Sequence, residues 1–266
     1  MHDIARNHTI FTISNGIAKT QRDNFLFIIK NFSTHLCGCC FFVKGLDINK
    51  KCDIINKNLS RWHMNAKFKI NGKVIQTERI ILRAFTQNDL RDFFEYAKVE
   101  GVGEMAGWHH HESIEKSQEI LDKFILEDKT FAIVYKQNNK VIGSLGVEEY
   151  GMEHALSEFF DYDGREIGYV LAKDYWGKGI MPEAVKAVID YLFNELNLDF
   201  LTCGYYDFNN QSKRVQEKCG FKPYRKLVMD TRLGTKESGV LNLLINPNKN
   251  IKFVFSHPET LIYKED

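Results

Sequence analysis

A short loop with two glycines has the chemistry of an anion site. It reads Gly177-Lys178-Gly179 and separates a predicted strand from a strongly amphipathic segment. Glycine lets the backbone approach an anion closely, and the first N–H groups of a helix lack partners within the helix. The pattern therefore favours a phosphate site, although two glycines alone also fit an ordinary strand-to-helix connection. A P-loop and a dinucleotide fingerprint are excluded, because Ile180 and Pro182 stand where those sequences need Lys and Gly.

Histidine and cysteine clusters raise the question of a metal site. His109-His110-His111 are consecutive, so no regular helix or strand turns all three imidazoles toward one ion, and no Cys or carboxylate array surrounds them. The cysteines at 37, 39 and 40, with Cys52, lack the two-residue gap that is typical of a zinc knuckle. We therefore expect no metal.

Composition excludes several classes of protein. The chain has 266 residues, of which 44% are hydrophobic, and its formal net charge is +1, so no global field attracts nucleic acid or a membrane. Its six cysteines do not form the framework of a small secreted domain, which favours a reducing, cytoplasmic location. The apolar residues 25–46 are interrupted by Lys30, Asn31, His35 and Lys44, which argues against a membrane span. Their apolar core is short and no small-residue cleavage site follows it, so a signal peptide is not expected.

The chain changes character near Met64. Residues 1–63 show no sustained helical or strand period, and we expect them to form a poorly patterned N-terminal extension. Residues 64–246 read as one domain, and residues 247–266 as a C-terminal tail.

Strands and helices alternate within the domain in the order β, α, α, β, β, β, α, β, α, β, β, which predicts an α/β protein with a mixed sheet and helices on its faces. Thr86 with Asp89 forms a variant capping box, Ser113 caps the second helix, and Pro182 suits the first turn of the third. The predicted strands cover residues 78–85, 130–136, 141–150, 166–172, 198–206, 224–230 and 239–245, and the last helix covers 212–219.

Four stretches resemble the GNAT N-acetyltransferase superfamily, in particular its RimJ/RimL ribosomal-protein N-acetyltransferase branch. They are ERIILRAF (78–85), MAGWHHHES (105–113), EIGYVLAKDYWGKGIMPEA (166–184) and FNNQSKRVQEKCGF (208–221), in the order the family uses. The resemblance covers about residues 76–246. It implies an α+β fold with a mixed, mostly antiparallel sheet of six to seven strands flanked by about four helices.

The resemblance implies acetyl-CoA as co-substrate. In such proteins the glycine loop holds the CoA pyrophosphate through backbone N–H groups, the preceding strand pairs with the pantetheine arm, and an Asn after the next strand bonds that arm. Asp174 stands where the family usually has Gln or Arg, a departure that weakens the match slightly. The positions so implicated are Val170, Leu171, Ala172, Trp176, Gly177, Lys178, Gly179, Ile180, Met181 and Asn209.

The resemblance also implies the reaction, which is acetyl transfer to a primary amine by direct attack in a ternary complex. An amine is mostly protonated at neutral pH, so a base must first remove a proton. Relatives often carry a glutamate matching Glu166, which we expect to be that base, with Glu148 and Glu149 as alternatives.

The RimJ/RimL branch has a serine matching Ser212, which can protonate the leaving thiolate, whereas Gln216 replaces the tyrosine of many other members. Ser212 is equally a candidate helix N-cap. Other candidate proton donors are Tyr205, Tyr206 and Tyr224.

The loop between the first two helices lines the acceptor pocket in the family. Trp108, His110 and His111 are therefore the expected substrate-binding residues. The acceptor is a protein N-terminal amine, as the branch name suggests, or a small molecule such as a polyamine, amino acid or aminoglycoside. A catalytically silent acyl-CoA-binding module is the alternative from another class, favoured by Gln216. We expect a monomer or homodimer without a nucleic-acid or membrane partner.

Overall fold

The computed structural model describes residues 66–149 and 162–251. The predicted extension over residues 1–63, with its cysteines, lies outside those ranges, as does most of the predicted tail. The division into extension, domain and tail therefore stays a prediction.

Eight strands form a single sheet in the described chain: β1 (Ile75–Gln76), β2 (Ile80–Ala84), β3 (Thr130–Tyr135), β4 (Lys140–Glu148), β5 (Gly164–Leu171), β6 (Phe200–Tyr206), β7 (Lys222–Asp230) and β8 (Lys236–Ile245). Their order across the sheet is β1-β2-β3-β4-β5-β6-β8-β7. All neighbouring strands are antiparallel except β5 and β6, which are parallel.

Four α-helices cover the two faces of this sheet: α1 (Leu90–Ala97), α2 (Ile114–Glu127), α3 (Ile180–Asp190) and α4 (Asn210–Lys218). Successive residues of β3 separate the faces, since Ala132 and Val134 pack in the cluster that holds α1 and α2, whereas Phe131 and Ile133 pack in the cluster that holds α3. Within the described residues, no helix is long and apolar enough to cross a membrane.

Most of the predicted elements are confirmed. The class is a mixed, mostly antiparallel sheet with four helices, and one strand more than predicted is present because the two-residue β1 is too short to show a period. The Thr86 N–H donates to Asp89 Oδ2 at 2.8 Å, and Ser113 accepts from the Lys116 N–H at 3.3 Å, as the capping patterns predict.

One helix start confirms its prediction and another differs from it. Helix α3 begins at Ile180, after Gly179 in the left-handed conformation, so Pro182 lies in its first turn as predicted. Helix α4 is capped by Asn209 and not by Ser212, since the Asn209 side chain accepts the Ser212 N–H at 2.9 Å. The N-cap role considered for Ser212 is therefore wrong, and its hydroxyl is left for other partners.

Strands β5 and β6 separate soon after they meet. Their parallel register runs only from Gly164 opposite Phe200 to Glu166 opposite Thr202. Beyond that point β5 stays paired with β4 as far as Leu171, and β6 stays paired with β8 as far as Tyr206. The sheet therefore opens between β5 and β6, its only parallel pair in the described residues.

The core around β4 makes a stability test possible. Leu145 is fully buried there, and we expect Leu145→Ala to lower the free energy of unfolding by about 2 to 5 kcal/mol through lost burial and a residual cavity. Leu126 on α2 is 79% exposed, so the matched Leu126→Ala should change stability by less than about 0.5 kcal/mol. Urea denaturation of both variants measures the difference, and equal losses would contradict this placement of the core.

Candidate active site

A cavity of about 440 Å³ occupies the opening between β5 and β6. Its walls come from the second half of β5, the glycine loop and first turn of α3, the end of β6, one face of α4, and the loop between α1 and α2. Five residues that the sequence analysis predicted for the site line this cavity, namely Glu166, Gly177, Gly179, Asn209 and Ser212.

The backbone of β5 presents hydrogen-bonding groups to this cavity. Successive residues of a strand direct their N–H groups to opposite edges. The Ala172 N–H bonds Ile142 O on the β4 side at 2.7 Å, so the N–H groups of Leu171 and Tyr169 face the side where β6 has departed. This edge is suited to an extended ligand that takes the place of a strand.

The glycine loop continues from that edge. Gly177 and Gly179 have φ of 74° and 75°, a left-handed conformation that favours glycine. No side chain caps α3, and Pro182 lacks an N–H. The first-turn N–H groups of Ile180 and Met181 have no carbonyl within the helix, so they are free to bind an anion from the cavity side.

An ion pair that the sequence analysis missed braces this loop. Arg79, just before β2, contacts Glu183 on α3 through Nη2 at 2.6 Å, and its Nη1 donates to Lys178 O at 2.8 Å. The Trp176 indole N–H also donates to Leu171 O at 2.7 Å. These bonds fix the loop against the sheet.

Lys178 itself faces away from the main cavity. Its Nζ lies 5.5 Å from the centre of the Tyr175 ring, and with Asp174 it lines a neighbouring shallow depression. The other residues predicted for the co-substrate line the main cavity directly, apart from Ala172, whose N–H completes the β4 pairing.

Glu166 combines burial with an acidic neighbour. It is half-buried at the cavity wall and lies opposite Glu148 in the β4–β5 register. Burial, with a smaller contribution from Glu148, raises the pKa of Glu166 to about 7. Glu148 is instead paired with Lys129 at 2.8 Å, and Glu149 is exposed, so neither of the two alternatives lines the cavity.

Asn209 and Ser212 stand together at the start of α4. Asn209 caps the helix through Oδ1, and its Nδ2 donates to Met105 O at 2.8 Å, so the side chain ties α4 to the loop after α1. Ser212 Oγ lies 3.0 Å from Tyr169 Oη and accepts from Gln216 Nε2 at 3.1 Å. Both positions line the cavity.

The predicted substrate-binding residues lie behind the cavity wall. The imidazole of His111 is buried against Phe93 and Trp108, and its Nδ1 is 2.7 Å from Ser117 Oγ. His110 bonds Glu104 through Nδ1 at 2.9 Å, which raises the pKa of His110.

The loop instead reaches the cavity through Val102, Met105 and Ala106. These are apolar residues, for which the sequence carried no functional signal. Contact of Trp108, His110 or His111 with an acceptor stays a prediction.

The cysteines in the described domain are poor nucleophiles. Burial raises the pKa of Cys203 well above its ordinary value and that of Cys219 to about 11, and the reactive form of cysteine is the thiolate. Among the described residues, no group of three His, Cys, Asp or Glu side chains is placed to hold a metal ion.

Comparison with known proteins identifies the family. Residues 79–222, more than half of the chain, match the model of the acetyltransferase (GNAT) domain. The chain belongs to this family, and it is an acetyl-CoA-dependent acyltransferase.

The similar proteins share this class. The probable N-acetyltransferase YjcK of Bacillus subtilis (strain 168) is 36% identical over an alignment of 144 residues, with coverage of 51% of this chain and 70% of YjcK. The uncharacterized N-acetyltransferase YoaA of the same strain is 25% identical over 154 residues, covering 56% of this chain and 82% of YoaA. The superfamily prediction is thus confirmed, while the RimJ/RimL branch stays a prediction.

Solved structures share the fold. An acetyltransferase (GNAT family) from Bacillus anthracis superposes with a TM-score of 0.56 at 23% identity, covering 65% of this chain and 99% of that one. The ribosomal-protein-S5-alanine acetyltransferase from Vibrio fischeri gives 0.52 at 22%, with coverage of 66% and 98%. Spermidine N-acetyltransferase from Vibrio cholerae, in complex with CoA and spermine, gives 0.51 at 21%, with coverage of 63% and 95%. At these identities the likeness concerns the fold alone.

The raised pKa of Glu166 has a consequence for stability. In the unfolded chain this carboxyl has its ordinary pKa near 4.5, and in the folded protein its pKa is about 7. The favourable contribution of the Glu166 carboxyl to the free energy of unfolding is complete below its unfolded pKa of 4.5 and is lost as the pH rises through about 7. Glu166→Gln should therefore have a higher melting temperature than the wild type at about pH 8 and an equal one at about pH 4. Curves of melting temperature against pH that run parallel for Glu166→Gln and the wild type would refute the desolvation of Glu166.

Proposed function

We propose that this enzyme transfers the acetyl group of acetyl-CoA to a primary amine by direct attack inside the cavity between β5 and β6. The observation that carries the proposal is the union, in one cavity, of an anion-binding loop and a carboxyl whose pKa is near neutral. The loop suits the pyrophosphate of the donor, and the carboxyl suits the removal of a proton from the amine.

The chain's own groups fit an acyl-CoA. Gly177 offers open space where a side chain would stand, and the N–H groups of Ile180 and Met181 suit the pyrophosphate. The free edge of β5 from Ile167 to Leu171 suits the amide-containing pantetheine arm. Arg214 and Lys218 on α4 add positive charge to the same wall.

Glu166 removes the proton of the incoming ammonium group. A base works best when its pKa lies near the operating pH, because it is then ionised often enough and still holds a proton well. With a pKa of about 7, Glu166 meets that condition. Both cysteines of the described residues are buried and have raised pKa values, which supports direct attack of the amine on the thioester without an acyl-enzyme.

Two groups stabilise the charges that develop during the attack. The Leu171 N–H, which faces the cavity, is suited to the oxyanion. Ser212, with its hydroxyl at the cavity wall, is suited to protonate the leaving thiolate.

The charge of the cavity favours an acceptor with one ammonium group. Among the described residues that line it, Glu166 is the only carboxylate, whereas a polyamine would bring several positive charges. We therefore place a protein N-terminal amine, or a small molecule with a single amine, ahead of a polyamine. The apolar Val102, Met105 and Ala106 would contact the group that carries the amine.

Thiol release from acetyl-CoA tests the function directly. We expect release to depend on the amine when short peptides with free N-termini, amino acids and spermidine are compared, with the single amines preferred. Glu166→Gln should lower kcat by about 10² to 10⁴ and remove the rise of activity through about pH 7, while acetyl-CoA affinity is kept. Tight acetyl-CoA binding without amine-dependent release would instead identify a silent binding module.

The glycine loop is tested by a pair of matched variants. Gly179 and Gly234 both have left-handed φ, of 75° and 78°, but Gly234 lies in the β7–β8 turn. Both Val variants strain the backbone by about 1 to 2 kcal/mol, so both should lose stability. Only Gly179→Val should weaken acetyl-CoA binding, by about tenfold or more in calorimetry. Equal affinities would remove the loop from the donor site.

A further inference from the structure

A chain of four polar side chains runs from β8 to the cavity wall. Asn242 Nδ2 donates to Gln216 Oε1 at 2.8 Å, and Gln216 Nε2 donates to Ser212 Oγ at 3.1 Å. Tyr169 Oη lies 3.0 Å from the same Ser212 Oγ. Gln216 and Asn242 are almost fully buried, at 0% and 2% exposure, whereas Ser212 and Tyr169 line the cavity.

The direction of these bonds is fixed by a backbone carbonyl. Gln216 Nε2 also contacts Gly204 O at 3.0 Å, and a carbonyl oxygen only accepts. The amide nitrogen of Gln216 must therefore face Gly204 and Ser212, and its oxygen must face Asn242. Ser212 Oγ is thus obliged to act as an acceptor toward Gln216.

We propose that Tyr169 and Gln216 are positioning residues that turn Ser212 into a proton donor for the leaving thiolate. A serine hydroxyl has two acceptor sites and one hydrogen. With Gln216 and Tyr169 both donating to Oγ, the acceptor sites are filled and the hydrogen is left to point into the cavity. This inference rests on the proposed function.

The proton transfers balance. As the C–S bond breaks, the Ser212 hydrogen passes to sulfur, the Tyr169 hydrogen passes to Ser212 Oγ, and the phenolate regains a proton from water in the open cavity. The hydroxide so formed takes up one proton of the acceptor ammonium. The acceptor ammonium loses two protons in all. The thiol accounts for one of them, and the other leaves to solvent through Glu166.

The environment of Tyr169 keeps its hydrogen in place until it is needed. Burial raises the pKa of Tyr169 well above its ordinary value, so the phenol stays protonated across the working pH range. The competing arrangement has Ser212 donating to Tyr169 Oη and Tyr169 donating to Ser212 O at 3.2 Å. That arrangement would hold the serine hydrogen away from the cavity.

A double-mutant cycle distinguishes these arrangements. The cycle compares the wild type with Tyr169→Phe, Ser212→Ala and the double variant. For each protein we measure CoA release in the presence of an amine and CoA release by hydrolysis alone. Acetyl-CoA affinity and melting temperature are measured alongside. We expect Tyr169→Phe to lower kcat about tenfold in the wild type, as for the loss of one hydrogen bond, and less than about twofold in Ser212→Ala. Acetyl-CoA affinity should stay unchanged. Tyr205→Phe, on the same cavity wall, is the matched comparison and should not couple to Ser212.

Each contrary outcome has a distinct meaning. Three outcomes would overturn the positioning role while leaving the proposed function intact. In the first, the losses of kcat in Tyr169→Phe and Ser212→Ala multiply in the double variant. In the second, Tyr205→Phe couples to Ser212→Ala, and in the third, Tyr169→Phe raises kcat. A wild type that releases CoA neither to amines nor to water would overturn both, because no thiolate would leave. Gln216→Met provides the second arm, since it removes the donor to Ser212 at nearly constant volume. It should lower kcat in the wild type and not in Ser212→Ala, whatever its effect on melting temperature.

Discussion

Strand β5 is paired with β4 from Glu166 to Leu171 on one edge, but with β6 along only three residues on the other. Strand β6 follows it from Gly164 to Glu166 and then leaves, because β6 stays paired with β8 through Tyr206. Leaving a buried backbone donor without a partner costs about 1 to 3 kcal/mol, so a fold keeps such an edge only where something meets it. The cavity, the position of the glycine loop and the inward face of α4 all follow from this separation.

Side chains hold the cavity walls where the backbone ladder is missing. Tyr169 on β5 reaches Ser212 on α4, and Gln216 on α4 reaches Gly204 on β6. On the other side, Arg79 clamps the glycine loop to α3 through Glu183. The opening thus keeps its width through bonds between elements, and polar residues in these positions serve the architecture and the chemistry together.

The sequence predicted those parts of the fold and of the candidate site that depend on a few consecutive residues. The glycine loop, the Ser113 cap and the strand that carries Glu166 are each specified by a few consecutive residues. Arg79 and Glu183 are 104 positions apart, as are Asn209 and Met105, and no periodicity links such partners.

The same limit applies to His111. The resemblance of its loop to the acceptor-pocket loop of the family suggested contact with substrate, which stays a prediction. His111 found Ser117 six residues later and an aromatic cluster around Phe93, and so became part of the core. Such packing decides which loop residues reach the cavity. Met105 and Ala106 are apolar, so nothing in the sequence indicated that they line it.

Helix α4 gives the cavity a direction. Its start is tied by Asn209 to Met105 in the loop after α1, and at its end the Cys219 thiol approaches Pro182 O in the first turn of α3. Lys218, beside Cys219, therefore lies toward the glycine loop, and Arg214 stands one turn earlier on the same face. At about 3.3 Å per residue, Glu166 lies some 17 Å along β5 from Leu171, so the carboxyl and the glycine loop mark opposite ends. In the proposed reaction, positive charge at one end and the Glu166 carboxyl at the other would orient an anionic donor toward a cationic acceptor, whichever amine the acceptor carries.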